Sequence, residues 1–219
     1  MIPLRDVIPS RATPYLTITI IAINAVAWLY ELTLPRDTLT LFLQQFGVVP
    51  AFFSAPTLVT SMFLHGSWSH VIGNMWYLWI FGDNVEDRFG HAGYLLFYLG
   101  AGIVAALVQY ATNPVSGLPT VGASGAIAGV LGAYAMAFPR ARVITLVPLF
   151  VFIQIIPLPA LLVLGLWFVI QFFSGTLALA STMSGGIAFW AHIGGFAFGA
   201  LAMLVLGRDR RDSYARVEY

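Results

Sequence analysis

The sequence predicts an all-α, polytopic membrane protein, a bundle of six transmembrane helices. Three observations carry that prediction. Of 219 residues, 59% are hydrophobic and only 9% are charged, where a soluble domain carries roughly 25% charged residues. Two long stretches, 92–139 and 143–207, contain no Asp, Glu, Lys or Arg. All ten basic residues are arginine, and they gather at one side of the apolar runs. So little charge cannot clothe a water-facing surface, which excludes an ordinary soluble enzyme, a disordered chain and a nucleic-acid binder. With no cysteine in the chain, thiol catalysis, disulfides and thiolate metal sites are excluded too.

The spans follow from where charge returns the chain to water, given that a bilayer core takes about 20 apolar residues per helix. The segment 1–13 is polar and proline-bearing and reads as a cytoplasmic N-terminal segment, not a cleavable signal. The first span is 14–33. The second, 66–82, ends at Asp83, Glu86, Asp87 and Arg88, with His91 as a solvated flank. The run 92–139 holds two spans, broken by the turn-rich stretch from Thr112-Asn113-Pro114 to Gly117-Leu118-Pro119. Parity divides the next run. Two spans, 158–175 and 190–207, keep Arg140 and Arg142 on the same side as Arg208, Arg210 and Arg211, leaving 143–157 as an apolar lead-in that need not cross.

This gives a membrane domain over 14–207 and a tail over 208–219. Arg5, Arg11, Arg88, Arg140, Arg142, Arg208, Arg210, Arg211 and Arg216 share one side, with Arg36 alone opposite. The positive-inside bias makes both termini and the tail cytoplasmic. The outer connection 34–64 is rich in Phe, Leu, Val and Pro and reads as a loop dipping into the membrane interface.

Spans two, four and six run in the same direction, and each opens with polar residues. These are His65-Gly66-Ser67-Trp68-Ser69-His70 with Asn74, then Gly122-Ala123-Ser124-Gly125, then Trp190-Ala191-His192. Topology alone puts the three clusters at one depth, and intramembrane polar groups face a wet cavity and carry function. Ser124 needs a base to become a nucleophile, and the His192 imidazole can serve near neutral pH. No carboxylate has a comparable position, so the candidate is a dyad. His70 and Asn74, four apart, share a helix face and can donate to an oxyanion beside the first-turn N–H of Ser124. Each residue also has a plain structural reading, as back-bonded serine, core histidine or interhelical glue. The shared depth weighs against it.

His65 falls off the His70 face and reads as an anchor for the entering loop. A zinc site of His65, His70 and His192 is set aside, because H-E-x-x-H is absent. Gly122, Gly125, Gly129 and Gly132 line one face of span four, and Gly195 and Gly199 make G-x-x-x-G in span six, allowing close helix contact. The G-x-S-x-G elbow is absent, since position 126 is Ala.

These motifs resemble the rhomboid family of intramembrane serine proteases, over about 14–207. The matching stretches are His65-Gly66-Ser67-Trp68-Ser69-His70-Val71-Ile72-Gly73-Asn74, Gly82 to Gly90 with Glu86 and Arg88, Gly122-Ala123-Ser124-Gly125, and Ala191-His192-Ile193-Gly194-Gly195 with Gly199. The resemblance implies the minimal six-span prokaryotic form in a cell membrane, with an active site opening to the outer face. It implies Ser124 as nucleophile, His192 as general base, and His70, Asn74 and the Ser124 N–H as oxyanion hole. No cofactor or metal is implied. Expected substrates are transmembrane segments of single-pass or polytopic proteins, entering laterally from the bilayer near spans two and five.

The resemblance also makes 34–64 a membrane-embedded first loop, 175–189 (Gly175, Ser181, Ser184, Gly185, Gly186) a cap over the site, and Glu86 with Arg88 a structural pair on the inner loop. Some members stack an aromatic residue, four after the serine, on the histidine; here that position is Ala128. A Trp-Arg pair that some members carry in the first loop is also absent. The rival readings are a non-catalytic rhomboid-like factor that binds membrane proteins, and a small transporter using the same cavity.

Overall fold

The computed structural model describes residues 1–149, 152–180 and 188–206. The tail 208–219 and most of the expected cap, including Ser181, Ser184, Gly185 and Gly186, lie outside the described residues. The described part is mainly helical. The long helices are α1 (Tyr15–Glu31), α4 (Trp68–Phe89), α5 (His91–Thr112), α6 (Ser124–Ala137), α7 (Ala160–Ala180) and α8 (Phe189–Leu206). Between α1 and α4 lie α2 (Arg36–Phe46) and the single turn α3 (Thr57–Thr60). By length and composition α5, α7 and α8 can cross a membrane; α1 and α6 are apolar but shorter.

The all-α expectation needs a correction. Strands β1 (Ile2–Asp6), β2 (Arg142–Leu149) and β3 (Phe152–Pro159) form an antiparallel sheet in the order β1-β2-β3. The apolar lead-in 143–157 is therefore most of a hairpin, paired from Arg142↔Pro159 to Leu149↔Phe152. Its near-continuous apolar character hides the two-residue period that marks a half-buried strand. The prolines fit the topology. Pro3, Pro157 and Pro159 lie on edge strands, where a missing N–H breaks no ladder. Pro148 lies on the central strand but beyond Leu146, where pairing to β1 stops.

The N-terminal segment is docked along the bundle. Trp76 Nε1 donates to the Pro3 carbonyl (2.7 Å), Asn84 Nδ2 to that of Ile8 (3.3 Å), and Tyr134 Oη to Asp6 Oδ2 (2.7 Å).

Glu86 and Arg88 lie not in a loop but in the last turns of α4, which runs past the expected span end, and both are buried. Glu86, 2% exposed, reaches the start of α1, where the N-cap Pro14 offers no side-chain bond. It accepts from Leu16 N (3.0 Å), Thr17 N (2.8 Å) and Thr17 Oγ1 (2.8 Å). First-turn amides lack intrahelical partners, and their dipole favours an anion, so α4 caps α1 from outside. His91 Nδ1 reaches Glu86 Oε1 at 2.6 Å; the expected solvated flank is thus bonded while its side chain stays half exposed. Asp87 accepts from Arg11 N (2.7 Å) and Ala12 N (3.1 Å). At the other end of α1, both Glu31 carboxylate oxygens accept from the His65 backbone N–H, at 3.2 and 3.3 Å.

The central helix is α6, buried from Gly125 through Ala135 and packed most closely on α8. Its small residues permit this. A Cβ added at Gly195 or Gly199 would run into the carbonyls of Gly125 and Gly129, and one at Gly132 into that of Phe196. The two backbones therefore touch. The connection 34–64 is held by mutual Val48–Thr120 backbone bonds and by Gly122 N donating to Ser61 O.

Two outcomes follow from these contacts. Glu86→Ala removes the acceptor of Leu16 N and Thr17 N, leaves the Thr17 hydroxyl with Tyr94 Oη at 3.4 Å, and should lower stability by about 2–4 kcal/mol, read as a fall in the thermal midpoint in detergent. An unchanged midpoint would mean that water replaces the carboxylate. Asp6, in β1, has its carboxyl pushed up to about 6, mainly by desolvation, with the Tyr134 hydroxyl opposing. The folded state then holds this proton more tightly than the unfolded chain, so stability falls as pH rises from about 4 to 6, by on the order of 2 kcal/mol. Asp6→Asn keeps an acceptor for Tyr134 and should flatten that slope; an identical slope in the variant would remove Asp6 as its source.

Candidate active site

The N-terminal ends of α4, α6 and α8 meet around a cavity of about 550 Å³, lined by His70, Asn74, Ser124 and His192 among others. Ser124 is the first residue of α6 and His192 lies in the first turn of α8. The glycine contacts set the spacing between these helices. Ser124 Oγ lies 2.8 Å from His192 Nε2. The ring's other nitrogen, Nδ1, is 2.8 Å from Gln171 Oε1 on α7. A carbonyl oxygen only accepts, so Nδ1 carries the proton, Nε2 presents its lone pair, and the serine hydroxyl donates to it. His192 is 7% exposed.

His70 and Asn74 face the same space from α4. The approach is tightest at Gly122, where an added Cβ would lie 2.6 Å from His70 Cε1, 2.7 Å from His70 Nε2 and 3.7 Å from Asn74 Nδ2. Gly122 also has φ +126°, which side-chain-bearing residues rarely adopt. Both facts require glycine here, for a reason the sequence pattern did not show. Gly122 precedes α6 and takes no part in its glycine face; Gly125, Gly129 and Gly132 do that. Two residues on, Ser124 opens α6, where a first-turn backbone N–H has no partner within the helix.

His65 is 1% exposed. Its Nε2 is 3.0 Å from Asn74 Nδ2 and its ring centroid 5.1 Å from that of His70. Asn74 donates this bond and keeps a second amide hydrogen for the cavity. The sequence assigned His65 only to loop anchoring. In the structure it is also the direct partner of Asn74, held by the Glu31 carboxylate on its backbone. Gly175, expected in the cap, belongs to α7.

Two residues at the site escaped sequence reasoning: Gln171 and Trp167. The Trp167 ring centroid lies 5.7 Å from that of His192. These two supply the neighbours that Ala128 cannot. Their signal was present, as an amide in an otherwise apolar span is costly and asks for a partner, and a tryptophan four residues before it shares its face. Gln109 on α5 is a parallel case, accepting from the Ala191 N–H at 3.3 Å and capping the first turn of α8.

A family model described as Rhomboid domain matches residues 54–209. The Bacillus subtilis (strain 168) protein named Putative rhomboid protease YdcA is 35% identical over 130 residues, covering 57% of this chain and 62% of that protein. Presenilin-associated rhomboid-like protein, mitochondrial, of Bos taurus is 35% identical over 98 residues, 43% of this chain and 26% of its own length. Rhomboid-like protein 11, chloroplastic, of Arabidopsis thaliana is 42% identical over 72 residues, 33% of this chain and 25% of its own. The chain thus spans less than two thirds of the length of these curated relatives. Taken with the apolar helices, the family match identifies an integral membrane protein: the chain belongs to the rhomboid family.

Proposed function

We propose that this chain is an intramembrane serine endopeptidase that cleaves transmembrane segments of other membrane proteins. The observation that carries the reading is the 2.8 Å contact of Ser124 Oγ with His192 Nε2, in a cavity shared with His70 and Asn74. The arrangement is that of a nucleophile, a base and oxyanion donors.

In this reading Ser124 Oγ attacks the scissile carbonyl carbon as its proton passes to His192 Nε2. The carbonyl oxygen becomes an oxyanion, which accepts from the Ser124 N–H, Asn74 Nδ2 and His70. The C–N bond then breaks, and the imidazolium gives its proton to the departing amine. A water molecule repeats the cycle on the acyl ester, its proton going first to Nε2 and then to the serine oxygen. Donors held in place before reaction are worth more in a water-poor site than in bulk water. A helical peptide bond is shielded by its own hydrogen bonds, so the substrate segment must unwind locally before attack.

Six spans, cytoplasmic termini and a site opening to the outer face complete the proposal, supported by the arginine distribution and by the polar N-termini of α4, α6 and α8. A prokaryotic cell membrane is the proposed location.

The test is fluorophosphonate labelling of the purified protein, read by intact mass beside Ser124→Ala and His192→Ala. A single adduct is expected in the wild type and none in Ser124→Ala, with labelling at least about 100-fold slower in His192→Ala. No adduct on a folded wild type, with an active serine protease labelled in parallel, would overturn the enzymatic reading in favour of a binding role.

A further inference from the structure

We propose that Gln171 is a positioning residue for His192, the third member of a Ser124–His192–Gln171 relay in which an uncharged amide stands where a carboxylate could. The inference rests on the reading of Ser124 and His192 as the reacting pair.

The geometry is linear in function. Gln171 Oε1 bonds Nδ1 and Ser124 Oγ bonds Nε2, each at 2.8 Å, on opposite edges of one ring. A neutral imidazole has one proton to place. With the amide oxygen against Nδ1, the proton lies there and the Nε2 lone pair faces the serine. With the amide turned over, its N–H would donate to Nδ1 and the proton would move to Nε2. The ring would then donate from Nε2 to the serine oxygen, and no lone pair would face the hydroxyl to take its proton. The amide orientation therefore selects the tautomer, and with Oε1 against Nδ1 the ring is set to act as a base toward Ser124.

Among the described residues no carboxylate bonds His192, and Ala128 has only a methyl group to offer the ring. Trp167, one turn before Gln171 on the same face of α7, lies near the ring at a 38° tilt, so two α7 side chains locate the imidazole by its face and its edge. The half-buried amide of an otherwise apolar helix also finds its partner in this bond.

A neutral acceptor fixes proton position and ring angle without adding charge. The loss expected on its removal is therefore that of misorientation, on the order of 10–100-fold in rate. Ground-state binding of a substrate segment should be unaffected.

The experiment uses the full chain in detergent and compares wild type with Gln171→Met, which has similar length but only a weakly accepting thioether, and Gln171→Glu, which keeps an oxygen acceptor. Fluorophosphonate labelling of Ser124 should slow 10–100-fold in Gln171→Met and stay within a few-fold of wild type in Gln171→Glu, at comparable thermal midpoints. Nitrogen-15 spectra of histidine-labelled wild type, assigned with His192→Ala, should show His192 as the Nδ1–H tautomer; this needs no variant of Gln171. A wild type that labels normally while Gln171→Met labels equally fast overturns the positioning role and leaves the Ser124–His192 pair intact. An Nε2–H tautomer in the wild type, or a folded Gln171→Glu as slow as the Met variant, overturns it too. A wild type that does not label removes the pair and the relay together.

Discussion

Two helix backbones in contact set the position of everything else. Where Gly195 and Gly199 of α8 rest on the carbonyls of Gly125 and Gly129 of α6, no side chain separates the helices. Hydrophobic burial cannot drive this contact in lipid, because the tails are as apolar as the helix faces. Close van der Waals packing can. A side chain at either glycine of α8 would push the helices apart, and a small shift is enough to break a 2.8 Å contact between Ser124 and His192. The packing constraint and the proposed chemistry thus share one line of residues.

Around this rigid pair the remaining polar groups act in layers. Glu31 holds the His65 backbone, His65 holds Asn74, and Asn74 faces the cavity beside His70. At the opposite end, Glu86 and Asp87 tie the start of α1 to the end of α4. Carboxylates occupy both junctions of these two helices, and each meets backbone amides, which an anion satisfies better than any neutral group. Such groups would be costly if unpaired. Paired, they fix how α1 lies along α4 and so where the first turn of α4 presents its side chains.

Helix α7 differs from its neighbours. It buries less of its surface than α5 or α8, and it reaches the centre of the site through Trp167 and Gln171. Three of the cavity's walls come from helices locked by glycine contact or by carboxylate caps. The fourth comes from a helix with fewer constraints, so the orientation of His192 depends on how α7 lies against the bundle.

Much was legible without coordinates. Composition and charge distribution identify a membrane protein and divide it into helices close to those observed, because lipid excludes charge and backbone groups must pair within each segment. The shared depth of His70, Asn74, Ser124 and His192 follows from helix direction alone. The β2–β3 hairpin was not legible, since an apolar stretch in an apolar chain carries no contrast from which to read a strand period. Nor was the pairing of Glu86 with the start of α1, because a cap supplied across sixty-nine or seventy residues leaves no local signal. The sequence by itself determined which residues are polar inside an apolar bundle, a matter of one-dimensional composition and periodicity. Only the tertiary structure decided which of them touch: Gln171 rather than a residue near Ala128 meets His192, and Gly122 bends outside the helix. Those choices depend on angles and distances between elements remote in the chain.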